Sequence, residues 1–485
     1  MSSLLRRGRL KATRPDVVNF ISSLDADKRI ALSTVLVNEA HVVALERCGA
    51  IKRDVARKIL TALRPLERYE YTKRGVEDVH LMIEESVTRR TGVEVGGLMH
   101  LGKSRNDQVV TAIRMTLRSE ILDVAQALLK LELSMAALAR KYASSAFPGY
   151  THLQPAQPIS FGHYLIANCL SLIRDNDRLL ECYSRVNISP MGAAAIAGTS
   201  FPLDRAFIAK LLGFDGIADA TLDAVGGRDF ALETLGVFAL TAADLSRIAS
   251  DMLFYSSSEA GLIIIPDEFA STSSIMPQKK NPDPIELVRA KSAGVAANFN
   301  TALIIMHGLT SGYNLDYQEI TPLLWQSVDE LKSCLRILAA LMPKIRPTEG
   351  VAGREYLQFT AATEIANLLV RTENISFRTA HQKVGSLVKA TVGQGKLLRD
   401  MSQAEWESVL GFRLKQKTYG TITRTLDLGD HINTYRTAGS PNPRETVRLV
   451  AQVNRKCGDL ARVQRRKREK IEESRRLLRR AMNAT

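Results

Sequence analysis

The chain has 485 residues, of which 45% are hydrophobic and 24% are charged, and its formal net charge at pH 7 is +15. These proportions are typical of a folded globular protein and exclude an intrinsically disordered chain. No apolar run approaches the roughly eighteen residues that a membrane helix needs, and the basic N-terminal segment lacks the apolar core of a secretion signal. The arginines and serines of that segment make a transit peptide harder to exclude, but we expect a cytoplasmic protein.

Long helices are the dominant feature of the sequence. Apolar residues recur every third or fourth position from Val110 to Leu138, from Leu235 to Met252 and from Leu324 to Met342. This spacing keeps apolar side chains on one face of a helix. Alternating strand patterns are scarce, and residues 418–426 are an ambiguous exception. We therefore predict a mostly α fold whose long helices pack against one another, within the chain or between subunits.

Three polar, turn-rich segments lie at the ends of the predicted long helices, at 96–108, 147–163 and 267–286. Loops held by rigid helices commonly carry reactive groups. In the first segment, Lys103 and Arg105 offer a carboxylate anchor and Asn106 offers a further hydrogen-bond donor. Asp107 is expected to be the N-cap of the long helix that follows.

The second segment contains GYTHLQPAQP, which places Thr151 and His152 between turn residues. A lone histidine is more often structural than catalytic. Glu286 lies where the third segment meets the next predicted helix. A carboxylate bonded to one imidazole nitrogen fixes the tautomer and raises the basicity of the other nitrogen. Spacing alone does not decide whether His152 and Glu286 form such a pair.

The third segment contains SSIMPQKKN, residues 273–281. A serine hydroxyl is a weak base unless positive charge or backbone donors favour its ionised form, and Lys279 and Lys280 can supply such a field for Ser273. Lys279 and Asn281 can also bind a carboxylate and stabilise the charge that develops on it. The combination suits removal of a proton next to a carboxylate. Taken alone, the loop is equally compatible with a polar surface turn.

Much of the positive charge lies near the C-terminus, where Arg462–Arg480 contains ten basic and three acidic residues. We interpret this run as a solvated terminal helix. We do not expect a nucleic-acid-binding tail, because no aromatic residues are interleaved with the basic ones. The five cysteines are scattered and form no CxxC pair, which argues against a disulfide framework and a zinc site. No metal is predicted.

The three polar segments together resemble the fumarase/aspartase superfamily, whose members eliminate fumarate from a succinyl-bearing substrate. The superfamily loop GSSxMPxKxN is TSSIMPQKKN here, and PQKKNPD, SRNDQ and GYTHLQPAQP are similar to the argininosuccinate lyase family within it. The resemblance covers nearly the whole chain. It extends to RRGRL (6–10), SSLDADKR (22–29), AIAGTSFPLDR (195–205), RDF (228–230) and YNLDYQE (313–319).

The resemblance implies the reversible conversion of argininosuccinate to arginine and fumarate, a step of arginine biosynthesis, without a cofactor. It implies that Ser273 is the base that takes the proton next to a succinyl carboxylate, and that Lys279 and Asn281 stabilise the resulting aci-carboxylate. His152, paired with Glu286, would protonate the departing guanidino nitrogen. The positions that match substrate contacts are Ser23, Asp27, Arg105, Asn106, Thr151, Tyr313 and Gln318, with Arg228 near the serine loop by analogy.

The family fold implies an N-terminal helical domain at 1–105, a central long-helix bundle at 106–353 and a C-terminal helical domain at 354–485. The resemblance further implies a homotetramer in which each active site takes its three loops from three different chains. Such sharing would give the long apolar stripes their packing partners.

The chain departs from the family pattern at several positions. Threonine replaces the usual glycine at Thr272, and Leu101 and Lys103 replace a threonine and an arginine. Gly226 stands where serine is usual, and Leu315 stands where a basic residue is common. Lysine cannot form the bidentate contacts of arginine. We expect these departures to affect the substrate contacts and to leave the proposed acid and base intact.

Two alternatives remain open. The chain can be another fumarate-releasing lyase of the superfamily, acting on adenylosuccinate or a related succinyl amino acid, and the identity of the product would separate these. It can also be a lyase-derived protein retained for structure or binding. Such a protein is expected to have lost Ser273, His152 or Lys279, and this sequence retains all three.

Overall fold

The computed structural model describes residues 13–71 and 76–485. The motif at residues 6–10 lies outside the described residues. In the described part of the chain the structure is mostly helical, which confirms the predicted fold class. Its α-helices, numbered in chain order, are α1 Pro15–Phe20, α2 Leu24–Asp27, α3 Ala31–Arg47, α4 Arg53–Leu63, α5 Val79–Thr91, α6 Val93–Gly96, α7 Arg105–Lys141, α8 Phe161–Val186, α9 Arg205–Leu212, α10 Thr221–Gly226, α11 Asp229–Ser256, α12 Asp283–Met306, α13 Tyr317–Leu341, α14 Ala362–Glu373, α15 Phe377–Gly393, α16 Gln403–Leu410, α17 Gln416–Thr425, α18 Leu428–Ile432 and α19 Pro443–Ala484.

The strands are short and form two-stranded pairs. Pairs β1–β2, β5–β8 and β6–β7 are antiparallel, whereas β3–β4 is parallel. Two of the predicted polar segments are hairpins, formed by β1–β2 and by β6–β7. The strands are β1 Ala146–Thr151, β2 Gln154–Ser160, β3 Ile188–Ser189, β4 Gly216–Ile217, β5 Ile263–Ile264, β6 Ser271–Thr272, β7 Lys280–Asn281 and β8 Arg346–Pro347.

The three apolar stripes of the sequence lie on α7, α11 and α13, which pack with α8 and α12 into one bundle. Helix α7 has 37 residues and is therefore roughly 55 Å long, at a rise of 1.5 Å per residue. Its stripe is buried along the whole length, from Val110 to Leu138. The ambiguous segment 418–426 is helical and coincides with α17.

The N-terminus of α7 differs in detail from the prediction. Ser104 is the N-cap residue, and its hydroxyl accepts a hydrogen bond from the backbone N–H of Asn106. Asp107 is the third helical residue and accepts from the backbone N–H of Ser104 at 3.0 Å. The two side chains form a capping box. The expectation that Asp107 is the N-cap is therefore wrong by three positions.

The C-terminal third of the chain has two parts. Helices α14 to α17 enclose a separate apolar cluster around Trp406. Helix α19 instead returns to the main bundle, where it packs on α7 and α8 and buries Val453, Cys457 and Leu460. The predicted terminal helix is thus present, with one face buried. The division into three domains at 105 and 353 stays a prediction.

In the described part of the chain, none of the helices combines the length and the apolar character that a membrane span requires.

Candidate active site

A cavity of about 210 Å³ lies where α2, α5, the start of α7 and the start of α13 meet. It is lined by seven of the ten residues that the sequence analysis assigned to substrate binding. They are Ser23, Asp27, Arg105, Asn106, Arg228, Tyr313 and Gln318. These residues come from four separate segments of the sequence, so the fold brings them together.

Asp27 is the most perturbed carboxyl group of this cavity wall. It is buried, and the Ser23 hydroxyl donates a hydrogen bond to its Oδ2 at 2.6 Å. Burial raises the pKa of Asp27 to about 7, the Ser23 hydrogen bond opposes the rise, and the nearby Asp78 carboxylate adds to it. Asp27 therefore gains or loses its proton near neutral pH, and a bound cation would favour its ionised form.

Arg105 lies opposite two acidic residues that the sequence analysis missed. Its Nη1 is 2.9 Å from Glu77 Oε1 and 2.9 Å from Asp78 Oδ2. Asp78 is also the N-cap of α5, where it accepts from the Leu81 N–H at 2.7 Å. An acidic residue directly before a helical pattern is a recognisable N-cap signal, and it could have drawn attention to the EDVH run at 77–80.

His80, which also lines the cavity, was missed as well. Its ring is buried, and neither ring nitrogen has a hydrogen-bond partner among the described residues. Burial lowers the pKa of His80 to about 3, and the cations of Arg105 and Lys103 lower it further. The imidazole is therefore neutral at physiological pH and lies beside the cavity with hydrogen-bonding capacity to spare.

The opposite wall is formed by Arg228 and two tyrosines. Arg228 is buried, donates to the Val225 carbonyl at 2.6 Å, and lies over the Tyr317 ring at 4.4 Å from its centroid. Burial lowers the pKa of Arg228 to about 10. The Tyr313 ring meets Tyr317 edge-on at a centroid distance of 5.9 Å, and the Tyr313 hydroxyl is hydrogen-bonded to Gln318. This wall is rigid, because each of its polar groups has a protein partner.

Lys103 is placed differently from the prediction. Its ammonium group is buried and donates to Asn38 Oδ1 at 2.8 Å and to Gln108 Oε1 at 3.1 Å. It is not among the residues that line the cavity. The position does not support the expected direct contact with a substrate carboxylate, because both hydrogen bonds go to residues that do not line the cavity. The sequence could not distinguish this lysine from an exposed one.

Thr151 and His152 lie at the exposed tip of the β1–β2 hairpin. His152 and Leu153 are the two loop residues, with φ of 53° and 57°, and Thr151 pairs with Gln154 across the turn. Positive φ at both loop positions fits the right-handed twist of a hairpin but strains residues other than glycine or asparagine. Such strain persists only where the surroundings enforce it, and it is found mainly at functional sites.

The prolines of this hairpin explain why the sequence analysis left it as a loop. Proline cannot donate to a strand ladder and is tolerated only at sheet edges. Both strands of a two-stranded hairpin are edges, so Pro148, Pro155 and Pro158 fit. The hairpin is held by aromatic contacts, including Tyr150, close to the tip, with Phe254 at a centroid distance of 5.2 Å.

Ser273 begins the turn between β6 and β7. Its half-buried Oγ accepts from the backbone N–H groups of Ile275 at 3.3 Å and Met276 at 3.1 Å. These donors favour an ionised oxygen, as the chemistry of a serine base requires. Thr272 stands in place of the usual glycine. Its φ is not positive, and it pairs with Lys280 in the β6–β7 ladder.

The two adjacent lysines of this loop differ in their surroundings. Lys280 Nζ donates to the Ile265 carbonyl and to Asp267 Oδ1, both at 2.5 Å, and so fastens the loop to the preceding segment. Lys279 is exposed, and Asn281, half-buried, lies on β7. Of the two lysines, Lys279 is therefore the one whose position leaves its ammonium group open to a ligand carboxylate.

The cavity, the hairpin tip and the serine loop are three separate groups in this chain. Glu286 is exposed on the first turn of α12. Among the hydrogen bonds of the described residues, none joins His152 to Glu286, and none joins the hairpin tip or Ser273 to the cavity. Neither His152 nor Ser273 lines the cavity. The described chain therefore assembles the seven cavity residues, but no described hydrogen bond connects them to His152 or Ser273.

Gly226 is the departure from the family pattern that the structure explains best. A Cβ at Gly226 would lie 3.0 Å from the Gly312 carbonyl oxygen and 3.1 Å from its nitrogen. The backbones before Arg228 and before Tyr313 therefore approach so closely that a serine at 226 would require one of them to shift by a few tenths of an ångström. Leu315, the other departure in this region, lines the cavity.

Within the residues that the structure describes, no group of three or more histidine, cysteine, aspartate and glutamate side chains is arranged to hold a metal ion. The reaction without a cofactor stays a prediction.

Comparison with known proteins shows the class of protein to which this chain belongs. A family model described as "Lyase" matches residues 25–297, and one described as "Argininosuccinate lyase C-terminal" matches residues 359–427. The fold is similar to EDDS lyase in complex with formate, with a TM-score of 0.88 and 26% identity over 98% of this chain and 96% of that chain. A class II fumarase from Schistosoma mansoni shares the fold, with a TM-score of 0.73 at 18% identity over 88% and 98% of the two chains. The protein is a lyase of the fumarase/aspartase superfamily.

Similar curated proteins identify the family within this superfamily. The argininosuccinate lyase of Methanosarcina mazei is 40% identical over 93% of both chains, and that of Methanothrix thermoacetophila is 42% identical over 92% of both. The chain belongs to the argininosuccinate lyase family.

Proposed function

We propose that this enzyme cleaves argininosuccinate to arginine and fumarate by elimination. The observation that carries the proposal is the cavity, where seven predicted binding residues meet in a chain that is about 40% identical to curated argininosuccinate lyases. The carbon next to a succinyl carboxylate loses a proton, the bond from the neighbouring carbon to the guanidino nitrogen breaks, and that nitrogen takes up a proton. The electron pair of the C–H bond becomes the double bond of fumarate.

Ser273 is the base in this proposal. Two backbone N–H groups already point at its oxygen, and Lys279, on the same turn, brings a positive charge. The lysine and the amide of Asn281 bind the succinyl carboxylate whose adjacent proton is removed. As the proton leaves, negative charge spreads into that carboxylate, and fixed donors at that place stabilise the transition state more than the bound substrate.

His152 is the acid that protonates the departing nitrogen, and Thr151 beside it binds substrate. The strained hairpin tip presents the ring to solvent at the end of a firmly anchored pair of strands. Glu286, exposed at the start of α12, is proposed to accept a hydrogen bond from the other ring nitrogen. That bond would fix the tautomer and raise the basicity of the histidine.

The cavity binds the cationic amine end of the substrate. Asp27, Glu77 and Asp78 supply carboxylates there, and Ser23 and Gln318 supply uncharged hydrogen-bonding groups. Arg105 is partly neutralised by Glu77 and Asp78. Lys103 supports this wall from below through Asn38 and Gln108 and does not touch the substrate.

The three groups are proposed to meet in a homotetramer in which each site takes loops from different subunits. Helices α11 and α12 carry large apolar side chains that are exposed in the single chain, with Leu240 at 52%, Leu303 at 47% and Ile304 at 73% exposure. Apolar residues at this exposure on neighbouring long helices are suited to packing against a second copy. The cytoplasmic location stays a prediction.

The test is to mix the purified protein with argininosuccinate, follow fumarate by its ultraviolet absorbance and assay arginine in parallel. We expect equal amounts of both products. In the Ser273→Ala variant, kcat should fall by roughly 10²–10⁴-fold, the range for loss of a general base. A folded wild-type protein that releases neither product would contradict the proposed substrate.

A second candidate is a lyase for a different succinyl amino acid, favoured by the similarity to EDDS lyase and by Leu315 in the cavity wall. In that case the protein would release fumarate from another succinyl compound and little or none from argininosuccinate.

A further inference from the structure

The segment at 190–198 links two walls of the cavity and has an unusual backbone. Its φ angles are positive at Gly192 (87°), Ala194 (50°) and Gly198 (76°). Alanine at positive φ is strained, so Ala194 needs neighbouring groups to hold it there. The segment overlaps the 195–205 motif, for which the resemblance supplied no role.

Asp107 is the group that holds this segment. Its carboxylate is fully buried, and Oδ2 accepts from the backbone N–H of Gly192 at 3.0 Å and of Ala194 at 2.9 Å. The other oxygen accepts from the Ser104 N–H at the start of α7. One side chain therefore ties the N-terminus of the long helix to the strained turn. A neutral amide cannot replace it, because only one of its two polar atoms accepts hydrogen bonds.

The segment contacts both sides of the cavity. The Ala195 carbonyl accepts from Asn106 Nδ2 at 3.3 Å, which orients the amide of a cavity residue. Ile196 Cγ2 lies 3.8 Å from the place where Gly312 would carry a Cβ, directly before Tyr313. A shift of 192–196 would therefore move the Asn106 amide and remove support from the Tyr313 wall.

We propose that Asp107 is a positioning residue, which holds residues 190–198 in their strained conformation and thereby fixes Asn106 and Tyr313 against the amine end of the substrate. The proposal rests on the proposed function for the identity of that substrate. Asp107 itself is buried beneath the helix start and does not line the cavity.

The first test is Asp107→Asn, assayed with argininosuccinate. We expect KM to rise about tenfold, the size of one lost hydrogen bond to a charged group, while kcat changes less than about threefold. The matched control is Asp204→Asn. Asp204 lies in the same motif and caps α9 by accepting from the Phe207 N–H at 2.8 Å, but it does not contact 190–198 through its side chain. Its KM should stay within about twofold of wild type.

Two further variants separate positioning from a general loss of stability. Glycine adopts positive φ without strain, so adding Ala194→Gly to Asp107→Asn should restore much of the lost KM. In an Asn106→Ala background, Asp107→Asn should have a smaller effect, because its target is already gone. Hydrogen exchange gives a readout without activity: the peptide spanning 190–198 should exchange faster in Asp107→Asn and not in Asp204→Asn.

The outcomes are distinguishable. If the wild type releases no fumarate from argininosuccinate, the proposed function fails, and hydrogen exchange still tests whether Asp107 holds the segment. If the wild type is active but Asp107→Asn leaves KM and exchange unchanged, or if Ala194→Gly rescues nothing, the positioning role is overturned. Should Asp107→Asn not fold, Ala194→Val carries the same expectation, because a β-branched residue resists positive φ. An unchanged KM in Ala194→Val would overturn the proposal.

Discussion

In the cavity, Asp27, Arg105 and Arg228 are each held by a neighbour of the same chain, whereas His152 and Lys279 lie exposed on hairpin turns. The cavity is preorganised: its charged groups are oriented before any ligand arrives. The two hairpins present reactive side chains toward solvent and hold them only through their own backbones. Under the proposed function, one chain holds the groups that bind the amine end of the substrate, whereas the proton transfers are proposed to need surfaces supplied by other subunits.

The largest expected effect tests whether assembly completes the site. Ser273→Ala and His152→Asn should each lose roughly 10²–10⁴-fold in kcat, as general base and general acid. When the two variants are co-expressed, some sites of a mixed tetramer would take the intact serine loop from a His152→Asn subunit and the intact hairpin from a Ser273→Ala subunit. Activity should then rise at least about tenfold above that of either variant alone, because the restored sites avoid the roughly 10²–10⁴-fold loss that each substitution causes. The measurement is fumarate release by the co-purified mixture.

The matched control for this experiment is a pair of variants on one loop. Ser273→Ala and Lys279→Ala lie on the same turn, so mixing them leaves every site with a defective serine loop, and no recovery is expected. Equal behaviour of the two mixtures, with or without recovery, would contradict sites shared between subunits.

The next effect concerns the cavity and its pH dependence. The pKa of Asp27 is raised to about 7 in the folded protein, from an ordinary value of 3.8, so the folded state binds more protons than the unfolded state between these values. The free energy of unfolding should therefore fall as pH rises from about 4 to about 7. Binding of a cationic amine needs the ionised form, so KM should rise as pH falls below about 7.

Asp27→Asn tests this interpretation. The variant should raise KM by roughly 10- to 100-fold at pH 8, the range for loss of a charged hydrogen-bonding partner, and its KM should change little between pH 6 and pH 8. Initial rates across that pH range, with thermal unfolding in parallel, provide the measurement. A variant whose KM keeps the pH dependence of the wild type would show that another group titrates.

The difference between the cavity and the two hairpins bears on how much of the molecule the sequence could predict. Helices α7, α11 and α13 were predictable because a stripe of apolar residues repeats with the helical period over many turns. The seven cavity residues were assigned through motifs that resemble the family, at 22–29, 104–108, 228–230 and 313–319. Lys103 was predicted to bind a substrate carboxylate because a motif gives residue order but not the direction of a side chain, and here the ammonium group points to Asn38 and Gln108.

The β1–β2 hairpin and the EDVH run were missed for a different reason. Prolines obscured the two edge strands. Asp78 has a local N-cap signal, but the ion pair of Glu77 with Arg105 joins residues that are 28 positions apart. Long-range pairing of this kind leaves no local period. The pairing of His152 with Glu286, which the resemblance implies, stays a prediction, because no hydrogen bond joins the two among the described residues.

The smallest expected effect concerns the cavity wall, the preorganised region of the two that are compared. Gly226→Ser restores the residue that is usual in the family, but its side chain would meet the Gly312 backbone, which has no flexible end to move aside. Overpacking of this kind lowers the free energy of unfolding by about 1–3 kcal/mol. A displaced Gly312 backbone would also move the adjacent Tyr313, which lines the cavity. We expect a lower melting temperature and a KM raised by about threefold to tenfold, with kcat nearly unchanged, since the hairpins are untouched. Gly385→Ser, on an exposed face of α15 with nothing within 4 Å of its Cβ position, is the matched control. If Gly226→Ser binds substrate as well as Gly385→Ser does, the cavity wall tolerates movement, and the rigidity that distinguishes it from the hairpins is not what sets substrate affinity.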